Sequence, residues 1–137
     1  MPHLLAQGDG RIINISTSDQ TMVRRGYAPY GPSKAGLEAA SRCWAQDTEG
    51  TGVTVNVLLP GGAANTELLP GGSNRRGADG NLLDPALMGP PAVWLCSAAS
   101  AGVNGGRFIA RLWDPALPAD AAAEGARSPG VAKPSIM

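Results

Sequence analysis

Hydrophobic positions along this chain fall into short runs separated by longer stretches of helical spacing, and that alternation sets the expected elements. Residues 12–15 form a brief apolar run, and residues 53–59 a longer one rich in β-branched side chains. Short runs of this kind fit parallel strands buried on both faces. Residues 108–112 read as a third strand. Between the first two, Leu37, Ala40, Ser41 and Trp44 recur at helical spacing. They predict a helix from Pro29 or Tyr30 to Thr48 with a mostly apolar face. Residues 89–99 predict another helix, with Pro90 and Pro91 in its first turn, where a missing N–H is harmless, and Val93, Trp94 and Leu95 turned inward. Residues 1–7 fit the last turns of a helix stopped by Gly8 and Gly10. Residues 16–28 read as a polar loop. Residues 61–84 form a long segment of weak periodicity, a length more usual for a functional lid than for a plain connection. Strands separated by helices predict a parallel α/β sheet.

Composition narrows the setting. The chain has 137 residues, 43% of them hydrophobic, and a formal net charge of zero. Balanced charge gives no support to nucleic-acid binding or membrane attraction, and no apolar run approaches the roughly 20 residues of a membrane span. The first eight residues lack the basic start and long apolar core of a secretory leader. Cys43 and Cys96 are too few and too far apart for a disulfide framework, and one histidine, His3, cannot build a metal site. These features predict a reducing, cytoplasmic setting. The 19 glycines and 12 prolines concentrate in residues 60–91 and after Asp114. Residues 114–137 are accordingly expected to be a disordered tail.

The sharpest chemical signal is Tyr30-Gly31-Pro32-Ser33-Lys34. Positions i and i+4 of a helix lie on one face, one turn apart, so a phenol and an ammonium would sit side by side. A nearby positive charge favours the phenolate, which readies the tyrosine to exchange a proton with a substrate oxygen. Upstream, Asn14-Ile15-Ser16-Thr17 ends the first strand in hydroxyls; downstream, Val55-Asn56-Val57-Leu58-Leu59-Pro60-Gly61 ends the second in Pro-Gly. With Gly105-Gly106-Arg107-Phe108-Ile109 as a final strand, this ordered set resembles the C-terminal half of a single-domain short-chain dehydrogenase/reductase. The resemblance spans about residues 1–113 and says little about the substrate.

The resemblance implies an α/β fold, an incomplete Rossmann-like doubly wound parallel sheet of about three strands and two to three helices. It implies hydride transfer between NAD or NADP and a small carbonyl or alcohol substrate. Tyr30 would be the general acid or base, and Lys34 would assist it and bind the cofactor ribose. Thr17, thirteen residues before Tyr30, stands where the family places a substrate-holding serine; Ser16 and Ser18 are its neighbouring alternatives. Pro60 and Gly61 would face the nicotinamide. Thr66 would bind the carboxamide, although it follows Pro60 by six positions where five is commonest. The helix bearing Tyr30 and Lys34, with Trp44 on it, would mediate a homo-oligomer. Tyr27, Trp44, Trp94 and Trp113 otherwise read as packing residues, and Arg75-Arg76 as a solvated pair or a contact to an acidic substrate.

A glycine-rich turn between a first strand and a helix, the element that cradles a dinucleotide pyrophosphate, is not among these residues. Neither is the family's Asn-Ala-Gly segment or its helix asparagine. Met1 therefore reads as a start inside a longer frame, and the chain alone is expected to bind NAD(P) poorly. An alternative is a non-enzymatic remnant or dimerisation module. A third, a sugar epimerase sharing the same Tyr and Lys, is disfavoured because those relatives carry a substrate domain after the last strand.

Overall fold

Val53–Leu59 is buried at every position, and the other elements arrange themselves around it. The structure, a computed structural model, describes residues 1–69, 71–77 and 80–128. In chain order the elements are α1 (Pro2–Gln7), β1 (Gly10–Ile15), α2 (Asp19–Met22), α3 (Tyr30–Asp47), β2 (Val53–Leu59), α4 (Gly89–Cys96), β3 (Arg107–Ile109) and α5 (Ala119–Ala126), with short 3-10 turns between them. The strands form one sheet in the order β1-β2-β3. Both pairings are parallel, with Ile15 opposite Leu58 and Leu59 opposite Ile109. The sequence-based α/β expectation therefore holds. The first two strands and α3 fall within two residues of their expected bounds.

The pleat sends alternate side chains to opposite faces, and the two faces differ in chemistry. One carries Ile13, Leu58 and Phe108, which pack with Trp94 and Leu95 of α4 and Ala123 and Ala126 of α5. Trp94 meets Phe108 edge-on at 5.9 Å between ring centroids and Trp113 at 6.1 Å. Its indole N–H donates to Asp120 at 2.7 Å. Full burial of a side chain such as Phe108 contributes roughly 1.5–3 kcal/mol. The other face meets α3 through polar contacts as well as valines. Asn14 Nδ2 donates to Ser41 Oγ at 2.7 Å, and Arg107 Nε donates to Glu38 at 3.0 and 3.1 Å.

Several expectations are corrected. The chain beyond Asp114 is not wholly a disordered tail: α5 buries Ala122, Ala123 and Ala126, and an antiparallel bridge joins Phe108 to Arg127. The reason is compositional. Alanine, which reads as low complexity in sequence, is also the best helix former and is small enough to lie flat on Trp94 and Phe108. Residues 129–137 lie outside the described set. The bridge covers the outer edge of β3, which a three-stranded sheet would otherwise leave open; Ser128 N donates to Arg107 O at 2.7 Å. Among the described residues no strand pairs with the outer edge of β1. Val93 points outward, 70% exposed, and residues 19–22 form the short α2 inside the expected loop. Trp44 also faces outward; α3 instead buries Ser41 and Ala45, because small residues let helix and strands approach. Among the described residues no helix is long and apolar enough to cross a membrane.

The packing of α5 makes a prediction. Ala123→Asp would place a charge at a position 2% exposed, which costs on the order of 3–5 kcal/mol when uncompensated. Urea denaturation should show a clear loss of stability; a wild-type midpoint would mean that α5 does not pack there.

Candidate active site

All three strands run parallel, so their carboxyl ends emerge at one edge, and that edge is where open α/β sheets bind ligands. The helix α3 must run back from this edge to feed β2, so its first residue, Tyr30, starts there. Tyr30 is 37% exposed. One turn on, the Lys34 ammonium donates to the carbonyl of Ile15, the last residue of β1, at 2.8 Å. It lies 5.8 Å from the centroid of the Tyr30 ring, within range of a cation–π contact. The fold thus joins the phenol, the ammonium and the β1 exit in one place.

The hydroxyls that follow β1 divide by environment. Ser16 is 3% exposed, and its Oγ has no hydrogen-bond partner among the described residues. Ser18 caps α2, accepting from Thr21 N at 3.3 Å and sharing a hydrogen bond with Thr21 Oγ1 at 2.9 Å. Thr17, between them, is half-buried, and its side-chain hydroxyl is not committed to a cap. The short α2 also holds the start of α3. A Cβ built at Gly31 would run into the backbone carbonyls of Met22 and Thr21, so glycine at this point of the motif lets the two helices touch.

Pro60 and Gly61 leave β2 beside the end of β3. Arg111 N donates to Pro60 O at 3.1 Å. Gly61 has φ +87°, and a Cβ there would meet Ile109 Cγ2 at 2.5 Å and Arg111 Cγ at 2.8 Å. A side chain is excluded twice, by backbone conformation and by space. Thr66 sits farther along the loop, half-buried, and its carbonyl accepts from Leu69 N at 3.1 Å. The loop returns to the β2 exit through a parallel bridge between Ala64 and Leu83. Arg75 is tied inside this loop, donating to Glu67 Oε1 at 3.0 Å and to Gly72 O at 2.7 Å. It is therefore not the solvated residue that the sequence favoured.

One contributor escaped the sequence reading. Arg107, quoted only as part of the last strand, reaches the β1 exit: its Nη2 donates to Thr17 O at 3.0 Å and to Asp19 Oδ1 at 2.7 Å. Nothing in Gly105-Gly106-Arg107 distinguishes this side chain from a surface arginine. A cleft of about 610 Å³ lies at the opposite, amino edge of the sheet, lined by Arg42, Gln46, Thr54 and several glycines. Its lining includes none of Thr17, Tyr30, Lys34, Pro60, Gly61 and Thr66. The chemistry at the carboxyl edge, an exposed phenol beside a fixed ammonium and an uncommitted hydroxyl, is suited to moving a proton onto or off a substrate oxygen.

A family model described as enoyl-(acyl carrier protein) reductase matches residues 1–110. The chain is 32% identical over 105 residues to NADPH-dependent aldehyde reductase 2, chloroplastic, of Arabidopsis thaliana, covering 72% of this chain and 39% of that protein. It is 31% identical over 100 residues to gluconate 5-dehydrogenase of Gluconobacter oxydans, covering 73% and 34%. The solved gluconate 5-dehydrogenase of Burkholderia cenocepacia, in complex with NADP and tartrate, superposes with a TM-score of 0.64 at 30% identity, covering 79% of this chain and 46% of that one. The chain thus spans less than half the length of these relatives.

The contact at Gly31 can be checked alone. Gly31→Ala should cost about 1–3 kcal/mol through the forced shift against α2. Gly36→Ala, where a Cβ meets nothing within 4 Å, should be neutral or stabilising by up to about 1 kcal/mol. Chemical denaturation of both variants decides; equal midpoints would mean that α2 is not docked on α3.

Proposed function

The chain belongs to the short-chain dehydrogenase/reductase family, and we propose that its carboxyl-edge site serves an NAD(P)-dependent oxidoreductase that reduces a small carbonyl or oxidises the matching alcohol. Residues 1–113 are the C-terminal part of that enzyme's domain in this reading. The observation that carries it is the hydrogen bond from Lys34 Nζ to Ile15 O, which fixes a cation beside Tyr30 where the strands end.

Each residue takes a role from its place. In the reducing direction the Tyr30 O–H donates its proton to the substrate oxygen, and in oxidation the same oxygen accepts one. The Lys34 ammonium, held one turn from the phenol, offers its remaining N–H donors to the ribose hydroxyls. Thr17 donates a hydrogen bond to the substrate oxygen and orients it. Pro60 and Gly61 would face the nicotinamide from the β2 exit, and Thr66 supplies a carboxamide contact.

The residues present fit the nicotinamide-ribose end of NAD or NADP through the hydrogen-bond donors of Lys34 and Tyr30 at the β1 exit. The cofactor would supply the hydride. The glycine-rich turn that grips a pyrophosphate is not among these 137 residues, so the affinity they provide by themselves is low. Trp44, 38% exposed on the outer side of α3, favours a second reading in which this helix is an association surface and the chain a non-enzymatic module.

An NADPH-oxidation assay separates the two. The expected outcome is carbonyl reduction that rises in proportion to NADPH without saturating, as follows from a weakly held cofactor. Tyr30→Phe should lower it by about 10²–10⁴-fold, and Lys34→Met should lower it too. Turnover untouched by Tyr30→Phe would sink the reading. Absence of turnover together with a dimer that dissociates on Trp44→Ala would favour the association module.

A further inference from the structure

We propose that Arg107 is a positioning residue for Thr17, holding the β1 exit in the register the chemistry needs; the proposal rests on the role given to Thr17 above. All three nitrogens of its guanidinium are engaged, each to a different part of the chain. Nε donates to Glu38 on α3 at 3.0 and 3.1 Å. Nη1 donates to Ser128 Oγ, beyond α5, at 3.3 Å. Nη2 donates to the Thr17 carbonyl and to Asp19. Arginine's planar fork suits this use, because several fixed donors are aimed at once.

The geometry makes a two-point clamp. Lys34 holds the Ile15 carbonyl and Arg107 the Thr17 carbonyl, so the two peptide groups flanking Ser16 and Thr17 are pinned from different elements. Lys34 and Glu38 lie one turn apart on α3, so a single helix face carries the cation at one point and the anchor of the second cation at the other. The arginine side chain is 20% exposed and its Glu38 partner 22%, so water competes little for that pair, whereas the Asp19 carboxylate is 82% exposed. A strand exit is otherwise free to rotate its side chains, and a hydroxyl displaced by about 1 Å can cost about 10²-fold in rate.

The test labels threonine methyl groups and follows Thr17 by NMR in the full chain. Arg107→Lys keeps the charge but cannot span Glu38 and Thr17 together. The Thr17 methyl resonance should shift and lose order, while those of Thr48 and Thr54 stay in place as reporters of an intact fold. If Arg107→Lys fails to fold, Glu38→Gln loosens the same anchor with a neutral isostere, and a smaller loss of Thr17 order is expected. An unchanged Thr17 methyl in a folded variant overturns the proposal. In the NADPH assay, Arg107→Lys should lower the rate about 10²-fold with its dependence on NADPH concentration unaltered. Combined with Thr17→Val, it should cost no more than Thr17→Val alone. A Thr17→Val chain as active as wild type would instead sink the role of Thr17, a result separable from the methyl readout.

Discussion

The burial of β2 is the constraint on which the rest of the structure depends. Its seven residues are all buried, and it has a parallel neighbour on each edge, β1 along residues 53–58 and β3 along residues 57–59. Parallel pairing forces the chain to travel back between strands, which is why α3 and α4 exist and why they run opposite to the sheet. It also places every strand exit at one edge. The Tyr30–Lys34 pair needs no special placement beyond this: a helix that must start at the carboxyl edge brings its first turn to the β1 exit.

Polar groups, not only apolar ones, tie the sheet to its surroundings. Asn56 is 2% exposed in the middle of β2, yet it is satisfied, donating to Val103 O at 2.7 Å and accepting from Gly106 N at 2.8 Å. Asn104 donates to Ala45 O at 2.7 Å and accepts from Val55 N at 2.9 Å. These two side chains stitch the turn before β3 to α3 and β2. Buried polar groups are costly when unpaired and specifying when paired, so they set register where an apolar core would tolerate slippage. Among the described residues, the buried hydroxyls left without a partner are Ser16 Oγ and Thr54 Oγ1.

Much of this was legible in the sequence, for identifiable reasons. The continuous apolar run 53–59 could be little other than a buried strand, and Gly8 ended α1 as expected, with φ 72° and its N–H donating to Leu4 O and Leu5 O. The Tyr30 and Lys34 pairing followed from helical spacing alone. What escaped was non-local or compositional. Arg107 contacts Thr17 across 90 positions, and no local pattern encodes such a reach. The alanines of α5 look like a tail until an aromatic surface lies beneath them. Trp44 fits an apolar stripe on a helical wheel, but the positions that α3 buries fully near its middle are the small Ser41 and Ala45, and Trp44 stays outside.

The central claim is that cofactor chemistry belongs to the carboxyl edge of the sheet. An NADPH titration of isotopically labelled protein, read by the backbone amide spectrum, tests it most directly. The account predicts that the amides of Ser16, Thr17, Gly31, Gly61 and Gly62 move, while those of Gly50, Gly52 and Gly102 at the amino edge do not. Perturbation centred on the amino-edge glycines, or none at any concentration, would contradict it.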